Sequence, residues 1–168
     1  SNSVIGRWKV NAYGEDEKIT SVTLTPTISG GTPATTSMNN VQLYLNGSQI
    51  GSVCQYTTTA CTFTLGSSAI ITAGPTASTL EVRADIQNAA GTNYTAGTVT
   101  VASATFNAQG MYTSNTLSSQ AIPTTTGLTI STGQLVVAKN AAYANQTLSP
   151  NATMAKIGEF ADLCHCCI

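Results

Sequence analysis

Leu80-Glu81-Val82-Arg83-Ala84-Asp85-Ile86 is the stretch that decides the fold. Apolar side chains stand at every second position with charged ones between them, the period of a strand with one face buried and one face in water. The same period returns in both directions along the chain. Val22 and Leu24 alternate with Ser21, Thr23 and Thr25, Val41, Leu43 and Leu45 with Gln42 and Tyr44, and Cys61, Phe63 and Leu65 with Thr62 and Thr64. Val4 to Val10 opens the chain as a first strand, and Val99/Val101, Leu128/Ile130 and Leu135-Val136-Val137 supply later ones. The Thr-rich intervening positions suit a pleated surface, where β-branched side chains pack well. Turn signals separate these runs: Gly30-Gly31-Thr32-Pro33, Asn46-Gly47, Gly74-Pro75, Ala90-Gly91-Thr92-Asn93 and Ser149-Pro150-Asn151. Asn46-Gly47 is the sharpest, because both residues reach positive φ cheaply and so close a two-residue hairpin. Helical periodicity extends nowhere beyond one or two turns. The pattern predicts an all-β chain of short antiparallel strands, a β-sandwich, with a closed barrel as the alternative.

Composition narrows the function. Charged residues are 8% of the 168, six basic and seven acidic, for a net charge of −1, against about 25% in an ordinary soluble domain. No Asp, Glu, Lys or Arg occurs between Ile19 and Leu80, and none between Ile86 and Ala138. Hydrophobic residues at 42% supply a core, so this is not the composition of a disordered polar chain. The near-neutral balance lacks the basic footprint of a nucleic-acid binder. The apolar runs are too short to cross a bilayer as helices. With one His and scattered acids, the chain holds little for acid–base chemistry, and no catalytic residue, metal site or cofactor is assigned. An uncharged Thr/Ser/Asn surface suits an extracellular or cell-surface location, where repulsion between copies would oppose dense packing.

One internal echo links the ends. Ile5-Gly6-Arg7-Trp8 and Ile157-Gly158-Glu159-Phe160 share the pattern Ile-Gly-x-aromatic. Their spacing of about 150 residues fits one repeat unit followed by the start of the next.

Several of these segments carry a family resemblance. Gly14-Glu15-Asp16-Glu17-Lys18-Ile19-Thr20-Ser21-Val22-Thr23-Leu24-Thr25, Asn40-Val41-Gln42-Leu43-Tyr44-Leu45-Asn46-Gly47, Cys61-Thr62-Phe63-Thr64-Leu65 and Ile71-Thr72-Ala73-Gly74, followed by Thr79 to Ile86, are similar to tandem repeats of large bacterial cell-surface proteins of the S-layer or adhesin type. The resemblance covers residues 5–105 and, more loosely, 128–160; the ending Leu163-Cys164-His165-Cys166-Cys167-Ile168 departs from it. It implies an immunoglobulin-like antiparallel β-sandwich with an extra C-terminal strand segment, and a surface, S-layer or adhesive-fibre role. Such repeats share no catalytic residues, so none is carried over. The expected division is residues 1–138 as the sandwich and 139–168 as a C-terminal strand or linker segment, donated to a neighbouring domain or subunit. The implied partners are copies of the same chain or adjacent repeats, with surface glycans as a further class.

Each candidate site has a plain alternative. Cys54 and Cys61 flank Gln55-Tyr56-Thr57-Thr58-Thr59-Ala60 in an apparent hairpin, where they form either a cross-strand disulfide or two buried thiols. Glu81, Arg83 and Asp85 lie on one side of a strand and are expected as a solvated ion-pair ladder, since Arg83 between two acids lowers their pKa where a glycosidase would need one raised. Trp8 reads as a core aromatic, and with Tyr13, Tyr44, Tyr56, Tyr94 and Tyr112 as the alternative of a sugar-stacking platform. Lys9, Lys18, Lys139 and Lys156 would form an isopeptide cross-link only if one were desolvated and neutral. Cys164-His165-Cys166-Cys167 has soft ligands, but one short extended segment cannot wrap a tetrahedral ion. Asn46, Asn93, Asn145 and Asn151 open glycosylation sequons. Ile157, Gly158 and Phe160 are the expected assembly strand, a surplus edge element that pairs with another copy's sheet. The function expected is thus a non-enzymatic building block of an extracellular structure, a fibre subunit or stalk repeat; the alternative is a carbohydrate-binding or adhesin module.

Overall fold

Alternation becomes strand throughout the computed structural model, which describes residues 2–57, 59–67 and 69–131 and the backbone of 135–139 and 160–164. The strands are β1 (Ser3–Val10), β2 (Glu17–Thr32), β3 (Met38–Leu45), β4 (Ser48–Tyr56), β5 (Cys61–Thr64), β6 (Ile70–Ile71), β7 (Ser78–Asp85), β8 (Ala96–Gly110), β9 (Thr116–Ile122), β10 (Leu128–Ile130), β11 (Leu135–Lys139) and β12 (Phe160–Cys164). No helix occurs among the described residues. The chain divides into two compact units, Ser1–Ile130 and Ser131–Ile168.

In the first unit a four-stranded antiparallel sheet runs β1-β7-β3-β4. A larger sheet runs β10-β8-β2-β5, with β6 also on β2 and β9 also on β8. One core joins them: Leu43, Leu80 and Val82 from the first sheet meet Val22, Leu24, Phe63, Val99 and Val101 from the second. Complete burial of each such side chain stabilises the fold by about 1.5–3 kcal/mol. The long strands β2 and β8 keep their apolar residues inward by bulging. A register shift between Ile19 and Ser21 changes the parity of β2, so that Ile19 and Val22 both point into the core. A second shift between Thr25 and Pro26 does the same for Val101 and Ala104 of β8.

Local chemistry explains the joints. Asn46 and Gly47 close the β3–β4 hairpin with φ of 49° and 84°, as the Asn-Gly signal predicts. In the Ile-Gly-x-aromatic segment the glycine makes room for the indole. A Cβ on Gly6 would stand 2.8 Å from a Trp8 ring carbon. Trp8 is not the buried core aromatic that its sequence context suggests. It lies half-buried against the core, its Nε1–H donating to the Pro123 carbonyl at 2.8 Å. That bond ties β1, at the margin of the smaller sheet, to the segment after β9 in the larger one.

The cysteine pair is a second tie. Cys54 and Cys61 are bonded, with Cα atoms 5.9 Å apart. They do not sit across one hairpin. β4 pairs with β3 and β5 with β2, so the disulfide joins the two sheets where the chain crosses between them.

In the second unit β11 and β12 form an antiparallel pair, Leu135 opposite Cys164 through Lys139 opposite Phe160. This unit includes residues 131–138, which the sequence reading groups with the sandwich. Phe160 opens β12, while Ile157 and Gly158 lie outside the described residues.

Candidate functional site

The densest charged cluster in the first unit lies on the outer face of the four-stranded sheet and is built by register. Arg7 of β1 and Tyr44 of β3 stand on either side of Glu81 in β7, forming one cross-strand row; Gln42 stands opposite Arg83 in the next. Such rows bring side chains within reach across the sheet. Glu81 Oε1 meets Arg7 Nε at 2.7 Å, and Oε2 takes Arg83 Nη2 at 2.7 Å and Nε at 3.1 Å. The Arg83 guanidinium lies 4.3 Å from the centroid of the Tyr44 ring. The Tyr44 hydroxyl donates to Gln42 Oε1 at 2.9 Å and accepts from Asn2 Nδ2 at 3.2 Å. Asp85 accepts from the Asn2 backbone N–H at 2.9 Å and from Asn40 Nδ2 at 2.7 Å. Asn40 reaches it because a bulge between Asn39 and Gln42 turns that residue to φ 50°.

This geometry corrects the expectation of a solvated ladder. Glu81 is 7% exposed. β7 is an inner strand flanked by β1 and β3, so long side chains from both neighbours close over its outer face. The hydrogen bonds from Arg83, then the positive charges of Arg7 and Arg83, hold the Glu81 carboxyl below its ordinary range, against the opposing cost of burial. The carboxylate stays ionised with both oxygens used. Such a group clamps three strands together and is unsuited to donating a proton in catalysis.

A second polar centre was not legible in the sequence. The Glu15 carboxylate accepts the Tyr112 N–H, the Thr113 N–H and the Thr113 hydroxyl, the second at 2.9 Å. Bonding from the Thr113 hydroxyl, then from the two backbone amides, lowers its pKa. The neighbouring Asp16 carbonyl accepts the Met111 N–H at 2.9 Å, and Asp16 Oδ1 accepts the Ala73 N–H at 2.7 Å. The loop between β8 and β9 is thus held by the segment before β2. Contacts so distant along the chain leave no local signal.

The other candidates are dispersed. Tyr56 and Tyr94 are buried, the Tyr94 hydroxyl donating to the Ser37 carbonyl at 2.7 Å. Tyr13 and Tyr112 are 80% and 92% exposed, and Tyr44 is covered by Arg83. The structure does not gather these rings into one platform with Trp8. Lys9 Nζ donates to Thr79 Oγ1 at 2.7 Å on the surface. Asn46 is exposed, yet its amide is engaged: Oδ1 accepts the Thr79 N–H at 2.8 Å and Nδ2 donates to Ser78 Oγ at 3.3 Å. Asn93 is exposed and its Oδ1 accepts from Gln87 Nε2 at 2.8 Å. Asn145, Asn151, Lys156 and His165-Cys166-Cys167 lie outside the described residues, and Cys164 closes β12. No cluster of three or more His, Cys, Asp or Glu side chains suited to a metal occurs among the described residues. No protein-family model matches the chain, and neither a curated protein nor a solved structure matches it.

Proposed function

We propose that this chain is a non-enzymatic building block of an extracellular surface structure, a fibre subunit or stalk repeat of immunoglobulin-like type that assembles by β-strand addition. The observation that carries this reading is the closed Glu81 network. The strongest concentration of charge in the first unit is spent on holding β1, β7 and β3 together. The inter-sheet disulfide supports an oxidising location. Outside that network and the Glu15–Lys18 segment the sandwich presents uncharged Thr, Ser and Asn, a surface on which copies pack without repulsion. The C-terminal pair β11–β12 is the element that gains most from addition. Two strands alone are marginally stable in water, and a third contributed by a neighbouring copy or repeat completes a sheet.

Electron microscopy of the purified chain over a range of concentrations tests this function. Regular filaments or arrays are the expected result, and monodisperse particles at every concentration would overturn it. The exposed rings of Tyr13 and Tyr112 favour a second reading, a carbohydrate-binding or adhesin module. Glycan-array binding by a non-assembling monomer, lost on replacing both tyrosines by serine, decides for that reading.

A further inference from the structure

The strand edges of the first unit are unequally protected. β1 carries Arg7 and Lys9 on its exposed positions, and charge on an edge strand discourages pairing with another chain. β4 is broken by two register shifts and by Gly51 at φ 73°, and β5 has four residues and is stapled to β4. The remaining edge is β9 continued by β10, both laid along β8. It lies within the span from Ile86 to Ala138 that has no charged residue.

This edge also projects past the smaller sheet. All of β9 except Ile122 is exposed, although Leu117 stands opposite the buried Ala108 of β8. Leu128 of β10 is 45% exposed opposite the buried Val99. Of the six large hydrophobic residues that are exposed, Met111, Tyr112, Leu117 and Leu128 follow one another along this flank, and Tyr13 belongs to the segment that holds its loop. Only Val53 lies elsewhere. The one distortion of β9, where Ser118 and Ser119 oppose Asn107, is satisfied from within the sheet, the Ser119 N–H donating to Asn107 Oδ1 at 2.7 Å.

We infer that β9 is a self-association edge, at which two copies of this chain join β9 to β9, antiparallel, about a two-fold axis. The occupant follows from symmetry and charge. A two-fold axis across an edge strand makes the pairing antiparallel and sets each residue near its own counterpart. Like charges would then face each other, so a strand such as β1 is excluded, whereas the uncharged Thr116–Ile122 satisfies the condition. The same operation brings the start of each β9 to the end of the other. The exposed Tyr112 and Leu117 of one copy come beside the Ile122–Leu128 region of its partner, so apolar surface at opposite ends of the flank is covered reciprocally. The contact is lateral and closes on itself. It is independent of the end-to-end strand addition proposed above, and would set fibres or stalks side by side.

Charge placed on the edge tests this with the full chain. Ser118→Lys/Gln120→Lys and Ser118→Glu/Gln120→Glu put two like charges on each β9 at exposed positions, and retained thermal melts show that the fold is intact. In sedimentation equilibrium the unmodified chain should show a concentration-dependent dimer. Each doubly charged variant should associate at least about tenfold more weakly, and a one-to-one mixture of the two should recover association as a heterodimer. If end-to-end fibres also form, those of the unmodified chain should have twice the mass per length of either variant's. Loss of fibres with the dimer retained would sink strand addition and leave this contact standing. An unmodified chain that is monomeric at every concentration, a lysine variant that associates as strongly as the unmodified chain, or a mixture that recovers nothing would overturn it.

Discussion

The outer face of β7 and the flank of β9 are built from the same backbone geometry, yet they finish in opposite states. On β7, Glu81 and Arg83 meet Arg7 and Tyr44 from the neighbouring strands, and the polar groups satisfy one another. On β9, six consecutive residues are exposed, and among the described residues no strand lies beyond them. The difference is one of position. An inner strand receives side chains from both sides, so even a carboxylate can be buried if its partners arrive with the register. An edge strand receives them from one side only, and this one has no charge of its own to keep a further strand away.

Four substitutions or conditions sharpen that contrast. The largest effect belongs beneath the β7 face. Leu80→Ala removes a side chain 1% exposed in the shared core, and should lower stability by about 3 kcal/mol in urea titration. Removing the sheet-to-sheet tie with Cys54→Ala/Cys61→Ala should cost about 2–3 kcal/mol, the loop closed being short. A loss below about 1 kcal/mol would mean that the sheets do not depend on it.

Glu81→Gln comes next. It removes a charged acceptor from two guanidinium groups and should cost about 2 kcal/mol at neutral pH. Its pH dependence has a definite sign. Because the folded-state pKa of Glu81 is depressed, its contribution is complete above the unfolded value of about 4.5 and is lost as pH falls through the folded one. The gap between the unmodified chain and the variant should therefore narrow below about pH 4.5 and not above it. A gap that is flat with pH would show that the clamp does not act through charge. The smallest effect belongs to the flank. Leu117→Ser, at a site 41% exposed, should change the stability of the dilute monomer by less than about 0.5 kcal/mol while weakening self-association.

How much of this was legible in the sequence follows the same division. Period two marked β3, β5 and β7 directly, because their buried residues alternate without interruption. β2 and β8 were legible only in fragments. Pro26 and Gly30-Gly31 read as breakers, whereas the structure absorbs Pro26 at a bulge and carries β2 on to Thr32. Bulges reset parity, and a reset parity hides a long strand from any search for strict alternation. The proximity of Cys54 and Cys61 invited a cross-strand bond, but neighbours in sequence at the margin of a sandwich can belong to different sheets. Glu81 looked solvated because its own strand says nothing about Arg7. The Glu15 contact to the β8–β9 loop joins residues nearly a hundred positions apart, so only the folded chain reveals it.

The account's central claim is that the charged face is sealed and the uncharged flank open to another copy. Amide hydrogen exchange of the full chain, measured at low and at high concentration, tests it most directly. At low concentration the outward amides of Thr116–Ile122 should exchange fast, and at high concentration they should become protected, while those of Ser3–Val10 stay unchanged. Protection of Thr116–Ile122 that is the same at both concentrations, or a concentration-dependent gain on Ser3–Val10 instead, would contradict it.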